Sequence, residues 1–130
     1  MSTKKSILVV DDEPEVRSLL SLFLSDEGYR VTTAGDGAEA IAVLETQGFD
    51  LVLLDIKMPR TSGFEVLKFV RERHPAMRVI MLTAYAELAN AMESKFLGAD
   101  DFIGKPSDPS EVLMTIERVL GATGDAPPGP

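Results

Sequence analysis

Short apolar runs recur along this chain, at Ile7-Leu8-Val9-Val10, Leu51-Val52-Leu53-Leu54 and Val79-Ile80-Met81-Leu82, with a shorter one at Phe102-Ile103-Gly104. Runs of this length, rich in Val, Ile and Leu and separated by longer stretches of helical periodicity, read as strands buried on both faces of a parallel sheet. The pattern predicts five strand–helix units. Strand one covers about 6–10, and its helix opens at Pro14, because proline suits the first helical position. Val16, Leu19, Leu20, Phe23 and Leu24 form the apolar stripe of that helix, and Gly28 stops it. Strand two, about 29–33, is the most polar and is expected at an edge. Asp36-Gly37-Ala38-Glu39 has capping-box spacing for a second helix, with Ala40, Ile41 and Leu44 turned inward.

Strand three covers 51–54, and the stretch from Lys57 to Thr61 is loop, since Pro59 suits neither a strand nor a helix interior. Ser62-Gly63-Phe64-Glu65 repeats the capping-box spacing and opens a third helix carrying Val66, Leu67, Phe69 and Val70, which His74-Pro75 ends. Strand four is expected over 78–82, a helix over 87–97 closed by Gly98, and strand five over 101–104. Asp108-Pro109-Ser110-Glu111 is a third cap signal, for a final helix that buries Val112, Ile116, Val119 and Leu120 and ends at Gly121. Alternating strands and helices with short links require right-handed crossovers, so the fold class is α/β: a doubly wound five-stranded parallel sheet with helices on both faces.

The 130 residues suit one domain, expected over 1–121 and followed by a flexible Pro/Gly-rich tail or linker over 122–130. The absence of cysteine excludes disulfides, thiolate zinc sites and thiol nucleophiles. A net charge of −8 argues against direct nucleic-acid binding by this domain. No stretch is long and apolar enough for a membrane span or a signal peptide, so a cytoplasmic location is the expectation.

Candidate chemistry sits just past the strands. Asp11 and Asp12 follow strand one, Asp55 follows strand three, Thr83 follows strand four and Lys105 follows strand five. Ligands of open α/β sheets bind beyond the carboxyl ends of the strands, so these five residues are expected on one rim. Three carboxylates brought together repel one another unless a cation neutralises them. A hard divalent ion such as Mg²⁺ takes carboxylates, a backbone carbonyl and phosphate oxygens. Asp11, Asp12, Asp55 and the carbonyl of Lys57 are the candidate ligands. The Asp55 carboxylate is a candidate nucleophile toward phosphorus, with Lys105 and Thr83 meeting the oxygens of the transferring group.

Asp11-Asp12-Glu13, Asp55 with Met58-Pro59 and Gly63, Thr83-Ala84, and Lys105-Pro106 stand in an order and spacing that resembles the receiver domain of response regulators in two-component signalling, over roughly residues 6–120. The resemblance implies the flavodoxin-like sheet and a phosphoacceptor role for Asp55, supplied by a sensor histidine kinase or a phosphotransfer protein. It implies a signalling switch rather than a dedicated enzyme, with Thr83 reading the phosphate and the aromatic side chain of Phe102 repacking in response. It also makes Tyr85 and Lys57 the expected modulators of the phosphorylated lifetime. Phe96, on the helix over 87–97, is expected to be exposed and to serve a partner or a phosphorylation-dependent homodimer.

Two other classes fit less well. A haloacid-dehalogenase-type phosphatase would carry its nucleophile after strand one with a second aspartate two residues later, where this chain has Asp11 and Glu13. A flavodoxin-type electron carrier needs a phosphate-binding loop where Asp11-Asp12-Glu13-Pro14 would repel an anion. His74, the single histidine, is expected in a loop at the far end of the strands, with no phosphoacceptor role.

Overall fold

The central strands are apolar at all but one end position each, and that places them in the middle of the sheet. In the computed structural model, which describes residues 4–83, 98–105 and 108–121, β1 (Ser6–Val10) and β3 (Leu51–Asp55) are buried almost throughout. Around them lie β2 (Arg30–Ala34), β4 (Arg78–Thr83) and β5 (Asp101–Gly104), giving five parallel strands in the order β2-β1-β3-β4-β5. The polar β2 is an edge, as its composition predicts, although the strand begins one residue later than expected. The helix expected over 87–97, with Phe96, lies outside the described residues, as do Tyr85, Pro106 and the tail. Thr83 is described by its backbone.

Alternation along the strands divides the core in two. Ile7, Val9, Leu51, Leu53, Ile80, Leu82 and Ile103 meet α1 (Pro14–Asp26) and α4 (Pro109–Gly121) on one face. Leu8, Val10, Val52, Leu54, Val79 and Met81 meet α2 (Gly37–Thr46) and α3 (Gly63–Arg73) on the other. Helices therefore cover both faces, as the doubly wound reading requires. None among the described residues is long and apolar enough to cross a membrane.

The predicted helix starts are built largely as expected. Asp36 accepts a hydrogen bond from the Glu39 amide at 2.7 Å, but the return bond of the box runs from the Gly35 amide to Glu39 Oε1, one residue earlier than the usual arrangement. Ser62 Oγ accepts from the Glu65 amide at 3.4 Å, and Asp108 Oδ1 accepts from the Ser110 amide at 2.9 Å. One part of the α1 stripe is corrected. Leu20 and Leu24 are buried and Val16 and Phe23 pack beside them, whereas Leu19 is 52% exposed. At about 100° per residue, 16, 20, 23 and 24 share one narrow face, and Leu19 falls on its flank.

His74 lies at the amino-terminal pole of the strands, as predicted, and it is more than a loose loop residue. Its Nε2 lies 2.9 Å from the Leu44 carbonyl, tying the end of α3 to α2.

Candidate functional site

Strand register assembles the rim. Val10 pairs with Leu54, Asp55 with Leu82, and Thr83 with Gly104. Asp11, Asp55, the end of β4 and Lys105 therefore emerge side by side at the carboxyl edge. The reversal of strand order falls between β1 and β3, which is where open α/β sheets bind ligands. Side-chain alternation adds a further constraint, for Asp11, Asp55 and Lys105 continue the rows that end in Val9, Leu53 and Ile103, all on the α1–α4 face.

Asp11 and Asp55 are both buried. Asp11 Oδ1 accepts from the Glu13 amide at 3.0 Å, and the Asp11 carbonyl accepts from Arg17 Nη1 at 2.7 Å. Asp55 Oδ1 accepts from the Lys57 amide at 3.3 Å. The ammonium of Lys105 stands between the two strands, 2.6 Å from Asp11 Oδ2, 3.1 Å from Glu13 Oε1 and 3.5 Å from Asp55 Oδ2. Burial works against the Lys105 charge, but its close contact with the Asp11 carboxylate and the charges of Asp55 and Asp11, with Glu13, outweigh it and hold its pKa above the ordinary value. The Asp55 carboxyl is pushed up to about 7, by burial first and by the negative charge of Asp11 next, against the opposing pull of Lys105 and the Lys57 amide.

One ammonium thus leaves the cluster with surplus negative charge. Asp11 Oδ2 is buried without a hydrogen-bond partner, its contact with Lys105 being one of charge. Carboxylate oxygens of Asp11, Asp12 and Asp55 lie within 4.8 Å of one another. An all-oxygen, doubly buried, under-neutralised set fits a hard divalent cation.

The loop after β3 is held tightly against this rim. A Cβ on Gly63 would strike the Asp55 carbonyl and the Cα of Ile56, so only glycine lets α3 begin there, and its amide donates to the Ile56 carbonyl at 2.9 Å. Between them, Thr61 N donates to the Pro59 carbonyl at 2.8 Å around Arg60, whose φ of 68° is unusual for a residue with a side chain. Phe102 lies on the opposite face from Lys105, half-buried against the α2–α3 core.

The structure therefore brings Asp11, Asp12, Asp55 and Lys105 together, with the Lys57 amide on Asp55 and the Thr83 backbone at the tip of β4. Sequence reasoning assigned no part to Glu13 or Arg17. A signal for Glu13 was present: it occupies the N-cap of α1, where Ser, Thr, Asp or Asn is favoured, and its side chain makes no capping bond.

A family model described as the response regulator receiver domain matches residues 7–117. The chain is 43% identical over 119 residues to the transcriptional regulatory protein ResD of Bacillus subtilis, covering 92% of this chain and 49% of that protein. It is 40% identical over 124 residues to the alkaline phosphatase synthesis transcriptional regulatory protein PhoP of the same organism, covering 95% and 52%. This chain spans about half the length of these curated relatives. Among solved structures, the chemotaxis protein CheY4 of Vibrio cholerae superposes with a TM-score of 0.86 at 36% identity, over 90% of this chain and 99% of that one. The response regulator TrrA of Thermotoga maritima, solved in complex with Mg²⁺-BeF, gives a TM-score of 0.80 at 38% identity, over 88% and 98%.

Proposed function

The chain belongs to the response regulator receiver domain family, whose members are signalling switches, and on that premise we propose that Asp55 is the residue that accepts the phosphoryl group. The observation that carries this is the placement of a buried carboxylate, 3.5 Å from the Lys105 ammonium, at the strand-order reversal beside Asp11 and Asp12. The donor is a phosphohistidine on a sensor kinase or phosphotransfer protein in the cytoplasm. An Asp55 carboxylate oxygen forms a bond to phosphorus while the bond from phosphorus to the imidazole nitrogen breaks, and the imidazole takes up a proton.

Asp11, Asp12 and Asp55, with the Lys57 carbonyl, would hold Mg²⁺, which supplies compensation for the charge on the transferring oxygens. Lys105 meets one of those oxygens as a point charge, and the Thr83 hydroxyl suits another. Occupation of Lys105 and Thr83 by the phosphoryl group would then bias Phe102 and the surfaces beyond it. The recipient is an output domain or partner, in keeping with the transcriptional regulators of which this chain matches about half.

Incubation with acetyl phosphate and Mg²⁺ should add one phosphoryl group, read by intact mass, and Asp55→Asn should abolish the addition. Undiminished labelling of Asp55→Asn would overturn the assignment.

A further inference from the structure

Glu13 stands apart from the other groups around Lys105. It is the N-cap of α1 but caps nothing with its side chain, and the Glu13 carboxylate reaches across to Lys105 Nζ at 3.1 Å. Its side chain is 60% exposed, while that of Lys105 is 12% exposed. Two of the three carboxylates facing the ammonium, Asp11 and Glu13, belong to the β1–α1 junction, and the third, Asp55, is the farthest at 3.5 Å. An ammonium has three donors, so each of its N–H groups has a carboxylate to face. Asp11 also receives the Glu13 amide and belongs to the candidate cation cluster. Among the contacts described, the Glu13 carboxylate engages Lys105 alone.

We propose that Glu13 is a positioning residue that parks Lys105 toward β1 in the resting state, and so competes with a phosphoryl group on Asp55 for the same ammonium. The proposal rests on Asp55 as phosphoacceptor. When a phosphoryl oxygen recruits Lys105, the Glu13 contact is the one surrendered, because Glu13 is solvated and loses little on release. The strength of that contact therefore sets part of the gap between the resting and phosphorylated arrangements. Charge and reach can be separated here. Aspartate keeps the charge but is one methylene shorter, which withdraws the carboxylate from Nζ.

The test is titration with beryllofluoride and Mg²⁺, followed by ¹H–¹⁵N spectra, on the parent chain, Glu13→Gln, Glu13→Asp and the control Glu15→Gln. Glu13→Gln and Glu13→Asp should both bind beryllofluoride more tightly by about threefold, the scale of a partly screened ion pair, while Glu15→Gln should match the parent. Without metal or beryllofluoride, the Lys105 ¹⁵Nζ resonance should shift in both Glu13 variants and stay in place in Glu15→Gln, a signature that a purely structural role for Glu13 would not produce. If Glu13→Asp binds like the parent and leaves the Lys105 resonance unmoved, reach is irrelevant and the proposal fails. Tightening by Glu15→Gln equal to that by Glu13→Gln would reduce the effect to bulk charge and also overturn it. A parent chain that takes up no beryllofluoride would instead remove the phosphoacceptor reading on which the proposal stands.

Discussion

The two ends of the sheet use the same residue types to opposite effect. At the amino-terminal pole, Asp100 accepts from Arg71 Nη2 and the Val79 amide on one oxygen, at 3.1 and 2.8 Å, and from Arg78 Nη1 on the other at 3.1 Å. Arg71 also donates to the carbonyls of Gly98, Pro75 and Met77. Asp50 accepts from the Ser6 amide at 2.8 Å. Among the described residues there, Arg78 Nε is the buried side-chain atom left without a partner. At the carboxyl rim, Asp11 and Asp55 share one ammonium, which Glu13 claims as well, while Asp12 adds a further carboxylate beside them. An aspartate at a strand end is therefore uninformative by itself. Whether it is a fastener or a reactive group depends on how completely its neighbours satisfy it.

The sharpest way to break this contrast is to remove a fastener. Asp100→Ala leaves two guanidinium groups and the Val79 amide without their acceptor, and should cost about 2–3 kcal/mol, discounted from the fully buried case because these side chains are partly exposed. Urea unfolding at pH 7 reads the loss directly. A cost below about 1 kcal/mol would mean that the amino-terminal pole is no better satisfied than the rim.

The rim should respond in the other direction. The folded-state pKa of Asp55 is raised to about 7 from an ordinary value of 3.8. Between those limits the folded chain holds a proton that the unfolded chain has lost, so metal-free stability contributed by this group falls as pH rises from about 4 through about 7. Asp55→Asn should remove the penalty and stabilise the metal-free protein at pH 8 by roughly 2 kcal/mol, about half of what the full shift implies once solvent screening is allowed for. Saturating Mg²⁺ should erase most of that difference by stabilising the parent chain. Equal stability of parent and Asp55→Asn across pH 5 to pH 8 without metal would count against a strained carboxylate at this position.

A smaller effect concerns the backbone. Arg60, in the rim loop, has a φ of 68°, whereas among the described residues of the opposite pole positive φ is confined to glycines, Gly28 and Gly98. Arg60→Gly should relieve the left-handed strain, offset in part by the greater freedom of glycine in the unfolded chain, for a net gain of about 0.5 kcal/mol. The Arg60–Asp36 ion pair is long, at 3.8 Å, and Arg60 is largely exposed, so its loss should matter little. A lower melting temperature for Arg60→Gly would show that the loop is held by the side chain and not strained by it.

Much of the fold was legible because it follows from periodicity. Runs of four apolar residues specify strands buried on both faces, and the cap signals at Asp36, Ser62 and Asp108 mark helix starts through hydrogen bonds made within a few residues of chain. Leu19 was misplaced for a related reason, since a helical stripe has a width that the sequence does not state and the packing partner decides. The cluster of Asp11, Asp12, Asp55 and Lys105 was legible too, because strand ends converge in any parallel sheet of this winding. The bond from Lys105 to Glu13 and the clamp of Arg71 and Arg78 on Asp100 were not, for they join residues 92, 29 and 22 positions apart through side-chain reach alone.

The sequence by itself thus determined the elements, their burial and the edge on which the carboxylates gather, since local hydrogen bonding and side-chain alternation leave few alternatives. Only the tertiary structure decided which carboxylates are compensated. The energy of a charge depends on every donor within a few ångströms and on how much water remains. For Asp55 and Asp100 those surroundings are assembled from separate elements, and they make one aspartate a strained acid and the other a fastener.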